Sequence, residues 1–553
     1  MPSRSWGSAL GVAAFAALAV ASVHGVTAGY GLNYDDYYFL RPHALQQVRD
    51  SFAGPWDQTG VMVKFYRPLT VAFSALRFEL FGLNAVAHHI TSLVLFALAA
   101  VMTAWLVLRW TDRRAGAVLA VLFFVSHPAM PYSLVAWITN QMHLLQIVTV
   151  LAALTWWDAV RARGLAWWLP LLLAATASFM IKEDGVMLLP AIVAIHEIRR
   201  WTAEPLPRIR LRFVLLAALL LGGLMMWRTN VLGGVGGYTQ LTFDRAWTNF
   251  FATLTGVYRL VPADRPWQPL ASWFVTLTPI AALATWPWAS RGARFCLAAG
   301  AAIAVLFAAP FVFITKPEQV YLLGLGFAIV LTGAVLALVD LAARAPQPRL
   351  AAGIVALLAG VGTASMLAVT RDITRDFDPF GPFVLANDDI VRTWGFVPPE
   401  IKDYIERKRE PGASARLSSN VLDEIRLATF NTHGRDVTPD GVPYMWMDRT
   451  WCEIQIAADA REVSIPLRHA IEVFRQPVHV RVEADGRLVD ELDMTTSEWR
   501  RSTFALLRGR APRIARLHRV RITIDRVWRP SEIVPGSTDG RPLGLQVGTP
   551  VVR

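Results

Sequence analysis

Two adjacent carboxylates, Asp35 and Asp36, stand in the run Asn33-Tyr34-Asp35-Asp36-Tyr37-Tyr38, directly after the first apolar stretch of the chain. An ionised carboxylate accepts protons, so an acid here can act as general base, hold a sugar hydroxyl or ligate a divalent cation. The flanking tyrosines suit a membrane–water interface and would keep the loop at headgroup depth. The plainer reading is a solvated helix cap, and an isolated acid pair favours it.

Four further elements carry polar chemistry beside aromatic residues or proline. Phe65-Tyr66-Arg67-Pro68-Leu69 places Pro68 at the first turn of a helix and an arginine just before it. That arginine either snorkels to the interface or grips a phosphate with its planar fork. Ser126-His127-Pro128, followed by Val135-Ala136-Trp137-Ile138-Thr139-Asn140-Gln141, puts His127, Asn140 and Gln141 around a broken helix end. His127 there either satisfies backbone groups or meets a ligand. Ile181-Lys182-Glu183-Asp184-Gly185 is a tight turn with three ionisable residues, either a self-paired surface cluster or polar groups lining a wet cavity. Lys316-Pro317-Glu318-Gln319-Val320-Tyr321 opens a late apolar run, with Gln319 and Tyr321 as candidate binding groups.

The elements that must position these residues are mostly transmembrane helices. The chain has 553 residues, 54% hydrophobic and only 17% charged. Its mean hydropathy is +0.38. Those values exclude a disordered chain, a disulfide scaffold and an ordinary soluble enzyme. Apolar runs near 6–28, 88–108, 115–134, 141–157, 165–181, 186–196, 212–230, 271–289, 295–314, 318–341 and 350–369 predict about eleven spans. The run 69–82 is short and carries Arg77 and Glu79, so it reads as an interfacial or re-entrant helix. Ala19-Val20-Ala21 resembles a signal cleavage site, but the length of the first run and the spans behind it favour a first membrane helix. Two cysteines are too few for a disulfide framework, and Cys296 lies in an apolar run, which argues against a bridge to Cys452.

Charge sets the orientation. The formal net charge is +12, of which residues 1–370 contribute a surplus of 11 and residues 371–553 a surplus of 1. The nearly neutral polar part speaks against a nucleic-acid partner. Arg4, Arg109-Arg113-Arg114, Arg161-Arg163, Arg199-Arg200-Arg208-Arg210-Arg212, Arg291-Arg294 and Arg344-Arg349 fall in alternate loops, which the positive-inside rule assigns to the cytoplasm. The N-terminus is then cytoplasmic. The loops 29–87, 127–140, 182–185, 231–270 and 315–318 face outward with the C-terminal region. All five polar elements therefore share one face, which unrelated surface charges have no reason to do.

Beyond residue 370 the hydropathy collapses. Segment 371–430 reads as a mixed linker with a helix near 400–410 and breaks at Pro398-Pro399 and Pro411-Gly412. From about 445 the hydrophobic period becomes two, in Trp451-Cys452-Glu453-Ile454-Gln455-Ile456, Val478-His479-Val480-Arg481-Val482 and Arg519-Val520-Arg521-Ile522-Thr523-Ile524. Asp485-Gly486 makes a hairpin turn. The region 431–553 thus reads as an antiparallel β-sandwich accessory domain. Trp446, Trp451 and Trp499 either stack on a sugar or fill its core; the domain either holds glycan or packs as a lid.

The order of motifs resembles the GT-C superfamily of membrane glycosyltransferases, and within it the protein O-mannosyltransferase group, including the transmembrane-and-tetratricopeptide O-mannosyltransferases and their bacterial relatives. The residues that carry the likeness are the early Asp35-Asp36, Tyr66-Arg67-Pro68-Leu69, His127-Pro128 with Val135-Ala136-Trp137-Ile138, Lys182-Glu183 and Glu318-Gln319-Val320-Tyr321-Leu322, across about 30–340. The sequence departs from that pattern at Tyr132-Ser133, at Gln141 and His143, and at Glu318-Gln319, where those relatives carry further acids or arginines. Tetratricopeptide repeats are absent and the β-rich tail stands in their place.

The resemblance implies a GT-C-like transmembrane domain over 1–370 with its catalytic loop at 29–87. It implies transfer, with inversion, of a sugar from a polyprenyl-phosphate donor to a hydroxyl on a glycan, lipid or protein at the outer face of a bacterial-type inner membrane. Asp35 would take the proton of the acceptor hydroxyl, Asp36 would orient it or bind a sugar hydroxyl, and Arg67 and Lys182 would support the leaving phosphate. Tyr66, His127, Asn140, Gln141, Glu183, Gln319 and Tyr321 would line the substrate site. Some members of the superfamily need a divalent metal and others none; the sequence offers no metal cage. Two other readings stand beside this one. A non-catalytic partner in polysaccharide or glycolipid export would keep a degenerate site. A secondary transporter would show inverted repeats, and two matching halves are not found.

Overall fold

The computed structural model describes residues 6–32, 34–56, 64–128, 130–162, 168–204, 211–234, 266–313, 320–376, 397–412, 420–507 and 517–553, with a few isolated positions between them. Each of the eleven apolar runs folds as a helix. Among the described residues seven helices are long and apolar enough to cross a membrane: Leu10–Gly29, Ala85–Thr111, Ile138–Val160, Leu211–Leu232, Arg291–Phe311, Tyr321–Ala342 and Pro348–Arg375. The others are shorter, at Arg114–Val125, Leu169–Ile181, Leu188–Thr202 and Gln268–Ala284. Helix Arg114–Val125 stops three residues before Pro128, because proline lacks the N–H that the next turn needs. The short run at 69–82 forms the helix Pro68–Phe81, with Pro68 in its first turn. The fold is a multi-pass membrane protein with a C-terminal antiparallel β-sandwich.

The chain divides into two compact units. The first comprises Met1–Ala28, Leu45–Ala72 and His89–Phe377; the second comprises Gly29–Ala44, Phe73–His88 and Asp378–Arg553.

The largest hydrophobic core of the helical unit includes Ala16, Val20 and Val23 of the first helix. Its tightest pair is Arg291–Ala308 against Tyr321–Ala342. A Cβ on Gly300 would stand 2.5 Å from the Gly326 carbonyl oxygen, one on Gly326 2.7 Å from the Ala304 nitrogen, and one on Gly333 2.7 Å from the Leu297 nitrogen. Glycine is required at these crossings, as in membrane helices that approach backbone to backbone. Ser290 caps the first of these helices, its side chain accepting from the Ala293 N–H. The arginine-rich loops meet in ion pairs. Arg109 and Arg161 both bind Asp158, and Arg161 and Arg199 both bind Glu204. Arg113 pairs with Asp340 at 2.6 Å, and Asp340 also accepts the Ser290 N–H at 2.8 Å. These contacts tie loops that the charge pattern assigns to one side.

The second unit holds two antiparallel sheets. Their strands are β1 (Leu427–Phe430), β2 (Asp436–Val437), β3 (Pro443–Trp446), β4 (Trp451–Ala457), β5 (Glu462–Arg468), β6 (Val478–Ala484), β7 (Arg487–Met494), β8 (Arg500–Ala505), β9 (Leu517–Ile524), β10 (Gln546–Gly548) and β11 (Val551–Val552). One sheet runs β1-β4-β9-β6-β7; the other runs β11-β5-β10-β3-β2, with β8 also on β5. The period-two residues of both fill a shared core, with Ile454, Val480 and Ile522 from one sheet and Ile465, Leu467 and Val547 from the other. Asp485 and Gly486 turn β6 into β7 with φ of 48° and 75°, the left-handed conformation such a turn requires.

Two segments distant in sequence complete this unit. Phe78 meets Phe430 edge-on at 5.5 Å, and Arg519 of β9 donates to the Phe78 carbonyl at 3.0 Å and pairs with Glu79. Leu517 fills the space over Gly82, and Asn84 forms an isolated bridge with Asn420. Cys296 and Cys452 are both free and buried.

Candidate active site

In the helical unit, residues from three of the polar elements meet in one cluster with Met142 and His143. Thr70 donates to the Ile181 carbonyl at 2.7 Å and so fixes the start of helix Pro68–Phe81 against the end of helix Leu169–Ile181. That contact brings Arg67 to Glu183: its Nε and Nη2 both reach Oε2 at 2.9 Å. Its Nη1 points at the Met142 sulfur at 3.7 Å, and its guanidinium lies over the Phe65 and Trp56 rings at 3.9 and 4.9 Å. Arg67 is only 6% exposed. Burial pushes the Glu183 carboxyl up, but the charges of Arg67 and Arg228 and the Arg67 hydrogen bond outweigh it and hold the group below the ordinary carboxylate range.

Next to this pair, Lys182, Asp184 and Tyr321 form a buried triad. The Tyr321 hydroxyl donates to Asp184 Oδ2 at 2.6 Å, Lys182 Nζ donates to the Tyr321 hydroxyl at 3.3 Å, and Nζ lies 3.6 Å from Asp184 Oδ2. His143 stacks on the Tyr321 ring at 4.2 Å with the planes 9° apart. Close packing sets the turn, since a Cβ on Gly185 would meet the Ser178 backbone. The Lys-Glu-Asp turn is therefore neither a solvated surface cluster nor self-contained. Lys182 and Asp184 pair with each other, and Glu183 pairs with Arg67.

His127 and Tyr66 are buried at the margins. His127 meets Phe327 at 5.8 Å, and a Cβ on Gly324 would lie 3.5 Å from its Nδ1. Burial pulls its imidazole down to about 3, so it is neutral at ordinary pH. The Tyr66 hydroxyl donates to the Phe52 carbonyl and accepts from the Trp227 indole, both at 3.1 Å. Burial raises its pKa, and the Trp227 bond opposes the rise. Asn140 is buried, and Gln141 donates to Ser92 at 2.6 Å in an interhelical bond.

The acid pair belongs to the second unit. Tyr34–Phe39 is a short helix, and Asp36 within it is 1% exposed. Arg77 lies near Asp36: burial lowers the Arg77 pKa to about 10, while the Asp36 charge acts against that fall. Burial also raises the Tyr37 hydroxyl well above its usual value, with Tyr404 and Asp36 adding to the rise. Asn33, the side chains of Tyr34 and Asp35, and residues 316–319 with Gln319 lie outside the described residues.

The sequence reading did not place Asp184, His143, Met142 or Arg228 in the site. Arg228 carried a usable signal, a charge sixteen residues into the apolar run that Arg212 opens, where ionisable groups tend to be functional. His143 and Met142 carried none, since their place depends on how the helix after Asn140 faces its neighbours. Among the described residues no three His, Cys, Asp or Glu side chains gather as metal ligands.

The cluster holds three cations, Arg67, Arg228 and Lys182, against two acids, Glu183 and Asp184. Chemically it is a buried site with one positive charge in excess, framed by aromatic rings.

No protein-family model matches the chain, and no curated protein matches it. Among solved structures the chain is similar to the arabinosyltransferase EmbB from Mycobacterium smegmatis, determined by single-particle cryo-EM, at 12% identity and a TM-score of 0.33. The likeness covers 100% of this chain and 65% of that one, so the chain spans a little under two thirds of its length.

Proposed function

We propose that this chain is an inverting GT-C-type glycosyltransferase that moves a sugar from a polyprenyl-phosphate donor to a hydroxyl acceptor at the outer face of a bacterial-type inner membrane, with the N-terminus cytoplasmic and the C-terminal unit outside. The observation that carries the reading is the buried excess of positive charge at Arg67, Arg228 and Lys182. A lipid phosphate leaving an anomeric carbon gains negative charge, and prearranged cations in a water-poor site stabilise that charge strongly. Arg67, its fork already oriented by two bonds to Glu183, is the primary phosphate ligand, and Lys182 the second. Asp35 takes the acceptor proton, the acceptor oxygen attacks the anomeric carbon from the opposite face, and the phosphate departs. Asp36, whose charge acts on the neighbouring Arg77, orients Asp35 or binds a sugar hydroxyl. Glycan, lipid and protein acceptors all offer the hydroxyl this step needs.

The test is sugar transfer in nanodiscs from a radiolabelled polyprenyl-phosphate sugar to a hydroxyl acceptor. Asp35→Asn is expected to abolish transfer, and Arg67→Ala to lower it by about a hundredfold or more. Full activity in both Asp35→Asn and Asp36→Asn variants would defeat the mechanism.

A second reading has one observation in its favour: Arg67 and Lys182 each already hold an acid, Glu183 and Asp184. A non-catalytic partner in glycolipid or polysaccharide export would bind lipid phosphate with those charges kept paired. Saturable binding of polyprenyl phosphate without sugar turnover, for every donor tested, would select that reading.

A further inference from the structure

The tryptophans of the β-sandwich part company in the fold. Trp451, at the start of β4, is covered by the Arg521 guanidinium 4.8 Å above its ring. Trp446 and Trp499 instead gather with Tyr444 on the other sheet, where Trp446 also packs edge-on against Phe474 of the core at 6.1 Å. Tyr444 and Trp446 meet edge-on at 5.7 Å, and Tyr444 and Trp499 lie 6.4 Å apart. All three rings are half-buried. The place of Trp499 depends on a missing side chain: a Cβ on Gly548 would stand 3.2 Å from its ring.

A fixed polar row runs beside these rings. Gln546 of β10 is in register with Trp446 on one side and Arg468 on the other. Arg468 is immobilised by three bonds of 2.7 Å, to the Ser497 carbonyl, Gln546 Oε1 and Glu472 Oε1. Glu472 also accepts from the Ser497 hydroxyl. Arg468 and Glu472 offset each other's charge, and the row offers both donors and acceptors.

We infer that this face, Tyr444, Trp446 and Trp499 with Arg468, Glu472 and Gln546, is a binding site for a neutral glycan chain. A sugar ring presents C–H bonds on its faces and hydroxyls at its rim. It needs an aromatic surface beside planar polar side chains that both donate and accept. A protein partner needs about 800 Å² per side, whereas three aromatic side chains that bury about 150–250 Å² each when fully covered, here already half covered, supply far less. Because Arg468, Glu472 and Gln546 are already held in place, ordering them costs the bound state little.

The site is tested by isothermal titration of the full-length chain in nanodiscs with three neutral hexasaccharides, of mannose, glucose and arabinose. At least one is expected to bind, with Trp446→Ala and Trp499→Ala weakening it about tenfold or more and Trp499→Phe restoring much of the loss. Trp451→Ala, on the other sheet, is expected to leave binding unchanged. Circular dichroism and thermal unfolding confirm that each variant folds. No binding of any hexasaccharide up to about 10 mM would overturn the proposal. So would an equal loss in Trp451→Ala, or a change of oligomeric state in Trp499→Ala that marks the face as a contact between copies. Binding is read without turnover, so failure here leaves the transferase reading standing.

Discussion

Arg67 holds a single oxygen of Glu183, Oε2, through both Nε and Nη2 at 2.9 Å. The other oxygen, Oε1, is buried with no hydrogen-bond partner among the described residues. A fork–fork pairing would have used both oxygens. The arginine is therefore oriented by the acid and its charge is only partly consumed, because Arg228 also acts on Glu183.

Glu183→Gln keeps the shape and removes the negative charge. The excess positive charge of the cluster then rises from one to two. Polyprenyl phosphate, measured by scintillation proximity in nanodiscs, is expected to bind about tenfold more tightly. The cost appears in stability, because an uncompensated buried arginine is worth about 3–5 kcal/mol of destabilisation. The pH dependence has a definite sign. The Glu183 carboxyl is depressed by its arginines, so its contribution is complete above the ordinary carboxylate value and is lost as pH falls through the depressed folded value. Glu183→Gln is expected to flatten that acid limb in thermal unfolding.

Tyr321→Phe removes the hydroxyl that donates to Asp184 Oδ2 at 2.6 Å and accepts from Lys182 at 3.3 Å. Asp184 Oδ1 is buried without a partner among the described residues, so Asp184 has nowhere to redistribute its bonds. The loss expected is about 1–3 kcal/mol. A double-mutant cycle with Lys182→Met is expected to give a coupling of about 0.5–3 kcal/mol, since the two side chains share one acceptor network. Additive losses in thermal unfolding would refute the triad as a unit.

Gly300→Ala and Gly326→Ala are each expected to force helices Arg291–Ala308 and Tyr321–Ala342 apart. The new Cβ atoms would stand 2.5 Å from the Gly326 carbonyl oxygen and 2.7 Å from the Ala304 nitrogen, and these neighbours are backbone, which cannot swing aside. Overpacking of this kind costs about 1–3 kcal/mol. Because Tyr321 opens the second helix, transfer activity is expected to fall as well. Gly353→Ala, where a Cβ meets nothing within 4 Å, is the matched control and is expected to leave both melting temperature and transfer unchanged.

How much of this was legible depended on whether the signal was local. Apolar runs report burial in lipid residue by residue, so all eleven helices could be read, and Pro68 and Pro128 marked a start and a stop. The alternation in β4, β6 and β9 and the Asp485-Gly486 turn fixed strands and a hairpin. The polar elements of the helical unit stood out because ionisable residues beside proline and aromatics interrupt or end apolar runs. What escaped is set by distant parts of the chain. Nothing near Asp36 announces that Gly29–Ala44 and Phe73–His88 fold with the β-sandwich, because Arg519, Phe430 and Leu517 that hold the second segment lie over three hundred residues away. Trp446 and Trp451 look alike in sequence; only strand register sends one to the side of Tyr444 and the other beneath Arg521.

His127 adds a second contribution to the acid limb of stability, beside that of Glu183. Burial holds its imidazole at about 3, against about 6.5 in the unfolded chain. Between those values the unfolded state binds a proton that the folded state does not, so acidification favours unfolding. The contribution of His127 is whole above about 6.5 and falls by up to about 1.4 kcal/mol for each pH unit below it. His127→Gln, similar in reach and without a titrating ring, removes this term. The variant is expected to melt lower than the parent at pH 8, where packing against Phe327 is lost, and to lose less on going from pH 7 to pH 5. Thermal unfolding at the two pH values reads the difference directly. Equal losses in parent and variant would place the acid sensitivity elsewhere and would require His127 to be protonated in the fold.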